Sequence, residues 1–167
     1  FVEQDLIDPE LGEFPDVRAA FVSARCPDVD RPNEDGVALV PGPAGGVVAV
    51  ADGVGGGPSG AKAARTALEA LVRSLSLARE NGAEARVGIL DGFEAANREV
   101  LGLGVGAATT LTAVELAAGS VRVYHVGDSE AALVGQRGKL KLQVVSHTPS
   151  GYGLEAGLLS AREADSH

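Results

Sequence analysis

Methionine and tryptophan are absent from the 167 residues, cysteine occurs once, and aromatic residues make up only 4%. Because translation begins with methionine, we expect that Phe1 is not the native start and that the chain is an excerpt or a processed product. The lone Cys26 forms no internal disulfide, which fits a reducing compartment and a cytoplasmic location. No apolar run approaches the ~20 residues that span a bilayer, so membrane insertion is not expected. Residues 1–16, FVEQDLIDPELGEFPD, lack the basic start and apolar core of a secretory signal. Positive charge is also scarce: 14 basic against 23 acidic residues leave a net charge of −9. That balance argues against nucleic acid or an anionic membrane as an electrostatic partner and leaves cation binding open.

What is present is a 45% hydrophobic chain, enough for one globular domain with its own core. We read residues 1–18 as an acidic extension and 19–167 as the domain. AAFVSARC (19–26) and DGVALV (35–40) read as strands around the loop PDVDRPNE, and VVAVAD (47–52) reads as a strand buried on both faces. From Ser59, a plausible cap, the apolar spacing becomes helical through Ala64, Ala67, Leu68, Leu71, Val72 and Leu75 and stops at Asn81-Gly82. A second helix is expected over about 86–101, with Leu90, Phe93, Ala96, Asn97 and Val100 on one face, ended by GLGVGA. ATTLTAVEL, SVRVYHV, EAALVG and KLKLQVV then read as strands joined by short turns, so neighbours should pair antiparallel. The alternation of Leu140, Leu142 and Val144 with Lys139, Lys141 and Gln143 marks a sheet with one wet face. A short helix is expected over 154–164. The fold class is α/β with antiparallel sheet.

The stretch GGGPSG (55–60) contains G-x-G-x-x-G between a strand and a helix, the setting of a dinucleotide fingerprint. RVGILD would then have to supply a parallel strand ending in the ribose-binding Asp91. Against that, Asp52 intervenes and the later strands form a meander. A phosphate loop fits less well, because Lys62 is out of register. A glycine-rich turn with no ligand is the commoner outcome of such a stretch. The acids bear on the choice. Glu34 and Asp35 stand where a loop enters a strand, Asp52 and Gly53 where another strand ends, and Asp128 in the turn of HVGDSEAAL. Each alone is an ordinary turn or surface residue. Carboxylates gathered at one sheet edge repel one another unless cations lie between them, and oxygen-only clusters favour Mg²⁺ or Mn²⁺.

The order of RPNED (31–35), VVAVADGVGG (47–56) with SGAKAA, ATTLTAVEL (108–116) and VYHVGDSEAAL (123–133) resembles the metal-dependent protein phosphatases of type 2C. SHTPSGYGLEAGLL resembles the segment that follows these blocks. The resemblance implies two stacked antiparallel sheets with helices on both outer faces, and a phosphorylated protein as substrate. It implies two Mn²⁺ or Mg²⁺ ions and a weaker third. Asp52 would bridge the pair, the Gly53 carbonyl would bind one ion, Glu34 would reach the same ion through water with Asp35 behind it, and Asp128 would serve the additional site. Arg31 would hold the substrate phosphate. Arg31 lies one residue nearer to the Asn-Glu-Asp triplet than in many members, Val54 replaces a histidine of many eukaryotic members, and Glu130 replaces an arginine. The family's later Asp-Gly and Asp-Asn blocks do not occur after Asp128. The resemblance therefore implies an N-terminal part of a bacterial-type signalling phosphatase, inactive alone, or a phosphatase-like binding module without catalysis. His125, His147 and His167 have no ligand-like spacing and read as structural or surface residues.

Overall fold

The computed structural model describes residues 5–15, 17–25, 30, 32–54, 58–104, 106–117, 119–148, 150–152 and 156–157. The expected helix over 154–164 lies almost wholly outside them. The centre is an antiparallel sheet of order β3 (Asp35–Gly42), β4 (Gly45–Val54), β6 (Leu111–Ala117) and β7 (Ser120–Val126), with the two-residue β5 (Ala108–Thr109) on the end of β4. Both long neighbours of β4 run antiparallel to it, so the parallel crossover of a dinucleotide-binding unit is not formed there.

Helix α1 (Pro58–Glu80) lies on one face of this sheet. Val47, Ala49 and Ala51 of β4 meet Ala63, Ala64, Ala67, Leu68 and Leu71 in a single core. The helix begins at Pro58, a good first helical residue because its missing N–H needs no partner there. Ser59 is therefore inside the first turn and not its cap. The expected stop holds: Gly82 takes φ 67°, and the Ala83 N–H closes on the Ala78 carbonyl at 2.8 Å.

Helix α2 (Ala85–Gly102) packs along α1 through Gly88, Ile89, Gly92, Ala96 and Val100. Leu90 and Asn97, expected on the inner face, are exposed. The helix turns its glycines inward because that permits close approach: a Cβ on Gly92 would sit 3.0 Å from the Leu71 Cα, and one on Gly88 3.0 Å from the Leu75 Cα. Leu71 and Ile89 are fully buried in the result, worth about 1.5–3 kcal/mol each. RVGILD is thus helical, and Asp91 ends no strand.

The other face of β4 is less enclosed than its composition suggested, with Val50 40% exposed. It is covered at its first residues by a hairpin of β1 (Leu6–Phe14) and β2 (Val17–Ser23). Gly12 lies against Leu39, and the Phe14 ring against Gly46. The acidic segment before residue 19 therefore contributes a strand, and the hairpin makes a second β layer opposite the helices. β8 (Ala132–Val134) and β9 (Leu140–Gln143) pair only with each other, so β7 and β8 are not neighbours as the meander reading expected. Leu140 and Leu142 are about half exposed, so neither face of this small ribbon is dry among the described residues. No described helix is long and apolar enough to cross a membrane.

Candidate metal centre

Register brings the acids together. β3 and β4 pair so that Asp35 faces Asp52, and antiparallel partners point to the same side of a sheet. Burial first, then the adjacent Asp52 carboxylate, near enough to share a proton, and then Glu34, hold the Asp35 carboxyl above its ordinary value. The backbone of Asp52 is fixed at the sheet's last rungs. Its N–H donates to Thr110 Oγ1 at 3.0 Å, and its carbonyl accepts from the Thr110 N–H and the Thr109 hydroxyl, both at 2.9 Å.

The loop before β3 is tied down by Asn33, which is 4% exposed. Its Oδ1 accepts from the Asp35 N–H at 3.0 Å, and its Nδ2 donates to Ser23 Oγ at 2.8 Å. Glu34 then reaches the start of α1, where the helix dipole favours an anion. The Gly53 N–H donates to the Glu34 carbonyl at 3.2 Å. A Cβ on Gly60 would lie 2.6 Å from Glu34 Oε1 and 2.8 Å from the Gly53 carbonyl oxygen, so these two oxygens converge on space that only glycine leaves open.

Asp128 reaches the same end of the sheet by a different tether. Ser129 Oγ lies 2.7 Å from Thr110 Oγ1, and Gly127 packs against the Thr110 side chain. The His147 N–H donates to the Gly127 carbonyl at 2.9 Å, and the Gly127 N–H donates to His147 Nδ1 at 3.4 Å. His147 stacks between His125 and Tyr152, which gives both histidines a structural place. Glu130, at the arginine position of the resemblance, accepts from Gln143 Nε2 at 3.3 Å. Arg31 and Cys26 lie outside the described residues.

The donors suit a hard divalent cation: carboxylates of Asp35 and Asp52, a carboxylate oxygen of Glu34 and a main-chain carbonyl. Among the described residues no three Asp, Glu, His or Cys side chains converge on one ion position, so carbonyl or water oxygens would have to complete any shell. Thr109, Thr110, Ser129, Asn33 and Gly60 were not singled out as functional from the sequence. The only signal was their place inside the quoted blocks.

The profile of the Protein phosphatase 2C family matches residues 24–166. The chain belongs to this family. No curated protein matches it at a significant level. Among solved structures, a PPM Ser-Thr phosphatase of Mycobacterium smegmatis in complex with cacodylate is similar in fold, with TM-score 0.70 and 24% identity over 98% of this chain and 64% of that one. The Mycobacterium tuberculosis serine/threonine phosphatase PstP/Ppp is 26% identical, with TM-score 0.61 over 83% of this chain and 59% of its own. The S. agalactiae serine/threonine phosphatase is 27% identical, with TM-score 0.64 over 87% of this chain and 61% of its own. The chain thus spans about three-fifths of the length of these three phosphatases.

Proposed function

We infer that the chain forms part of a metal-dependent protein serine/threonine phosphatase that hydrolyses phosphoserine and phosphothreonine in protein substrates. The observation that carries this reading is the meeting of Asp35 with Asp52 at the sheet end where Glu34 and the Gly53 carbonyl also converge. Bound Mn²⁺ or Mg²⁺ would acidify a water and neutralise charge on the phosphoryl oxygens. Asp52, Glu34, Asp35 and the Gly53 carbonyl would hold two such ions, with Asp128 at a third position. Thr110 fixes the Asp52 main chain through its N–H and carbonyl, which sets where the side chain leaves the sheet. Arg31 is assigned to the substrate phosphate, where a guanidinium donates two parallel N–H bonds. A metal-activated water needs no covalent phosphoenzyme, and the only cysteine, Cys26, has no nucleophile signature around it. We place the activity in bacterial phosphoprotein signalling in the cytoplasm.

A second reading is a phosphatase-like module that binds a phosphoprotein without hydrolysis. Hydrolysis of a phosphopeptide and of p-nitrophenyl phosphate with Mn²⁺ separates the two. The 167-residue chain should show little turnover, and the protein translated from the complete reading frame should show robust turnover. Robust turnover by the 167 residues would mean that another acid, such as Glu155 or Glu163, completes the set. Phosphopeptide binding without turnover by the protein from the complete reading frame would establish the module.

A further inference from the structure

At the end of the sheet away from the carboxylates, a cavity of about 420 Å³ opens between the β3–β4 turn, the end of β6 and the α1–α2 loop. Gly45 lines it, and Asp52 stands seven residues further along β4, roughly 23 Å at the ordinary strand rise. The walls are largely aliphatic, formed by Val40, Pro41, Val47, Leu75, Ala83 and Leu116. Three ionic side chains also line it: Arg79, Glu84 and Glu115.

Glu115 stands out in its row. Leu111 and Ala113 precede it on the helix-facing side of β6, and both are buried. A third apolar residue would continue the core, yet Glu115 is only 7% exposed. Its carboxylate is held by two donors, the Tyr124 hydroxyl at 3.0 Å and Arg122 Nη1 at 3.2 Å. Both bonds end on Oε2, and Oε1 accepts none among the described residues. Joining β6 to β7 needs only the first oxygen. The second is an unengaged acceptor on a carboxylate that lines an apolar cleft, and a few placed polar groups among apolar walls are how small-molecule sites select their ligands.

We propose that this cavity binds a small amphipathic amine, its apolar body against Val47, Leu75 and Leu116 and its ammonium donating to Glu115 Oε1. Arg79 and Glu84 offset each other and Arg122 offsets Glu115, so the selection comes not from net charge but from Oε1, the carboxylate oxygen to which neither Arg122 nor Tyr124 donates. An anion would meet a carboxylate. A hydrocarbon would strip water from Oε1 and return no donor.

The test is titration of the ¹⁵N-labelled 167-residue chain with 2-phenylethylamine, 2-phenylethanol and 3-phenylpropionate, followed by amide chemical shifts. The amine should shift Ala83, Ala85, Leu116 and Ala117 saturably, the alcohol should bind at least tenfold more weakly, and the carboxylate should not bind. Glu115→Gln should weaken the amine at least tenfold. Ala83→Phe, a change at an exposed wall residue, should abolish binding with the rest of the spectrum preserved, and it decides the matter if Glu115→Gln does not fold. Absence of saturable shifts, equal affinity for all three probes, or binding unchanged in Ala83→Phe would overturn the proposal.

Discussion

Asp35 and Asp52 occupy directly opposed positions on neighbouring strands, where like charges destabilise unless a proton or a cation lies between them. The Asp35 carboxyl is held above its ordinary value by burial and by its acidic neighbours. The sign follows: its contribution to stability is complete below the unfolded carboxylate value near 4 and is lost as pH rises through the folded value. Without divalent cations, Asp35→Asn should therefore melt at a higher temperature than the parent at pH 7, and the difference should shrink as the pH approaches 4. Mn²⁺ should shrink or reverse the difference, because the cation removes the repulsion between Asp35 and Asp52 in the parent and finds one carboxylate fewer in the variant. Thermal melts followed by circular dichroism, with EDTA and with Mn²⁺, check both. Arg31 belongs to the substrate and not to the metals in this account. In the protein translated from the complete reading frame, Arg31→Ala should raise KM at least tenfold with Mn²⁺ affinity unchanged, as steady-state kinetics and calorimetry would show. An unchanged KM would move the phosphate contact elsewhere. Arg25 is the other nearby arginine, and it is held by Asp5, with Nε–Oδ2 at 3.4 Å.

At the scale of elements, two glycines of α2 set how near the helices lie. A Cβ at Gly92 would meet the Leu71 Cα at 3.0 Å and its Cδ1 at 2.8 Å, whereas one at Gly102 meets nothing within 4 Å. Gly92→Ala should therefore destabilise by about 1–3 kcal/mol through overpacking. Gly102→Ala should stabilise by roughly 0.5 kcal/mol through helix propensity. Urea denaturation of the two variants tests the contrast. Gly60 serves the site, not the core. Gly60→Ala should lower Mn²⁺ affinity at least tenfold and also lower the melting temperature, because its Cβ would enter the space where Glu34 Oε1 and the Gly53 carbonyl oxygen converge, 2.8 Å from the latter.

Across the whole molecule, the sequence was most legible where one periodicity ran long. α1 and its stop at Asn81-Gly82 were readable, as were β3, β4, β6 and β7, because short apolar runs were bounded there by turn residues. The inner face of α2 was not readable, since an apolar Leu90 outranks a glycine on any hydrophobic scale and the close approach to Leu71 is a tertiary fact. The strand at Leu6–Phe14 was hidden by its acids and Pro9, which a hairpin over one sheet face tolerates. Pairing of β8 with β9 alone depends on what the turn after β7 does, and three short residues carry little signal of that. At the site, the acids were visible as residue types beside strand ends. Their supports, Thr110, Ser129 and Asn33, were not, because a hydroxyl or amide that fixes a backbone looks like any other loop residue until its partner is seen.

Divalent-cation binding at this sheet end through Asp52 can be measured by calorimetric titration of Mn²⁺ into the protein from the complete reading frame and its Asp52→Asn variant. The substitution is nearly isosteric and leaves untouched the main-chain bonds to Thr110 that position the residue. The parent should bind Mn²⁺ saturably and the variant not at all, with the fold of both intact by circular dichroism. Equal Mn²⁺ affinity in the two proteins would mean that Asp52 holds no cation.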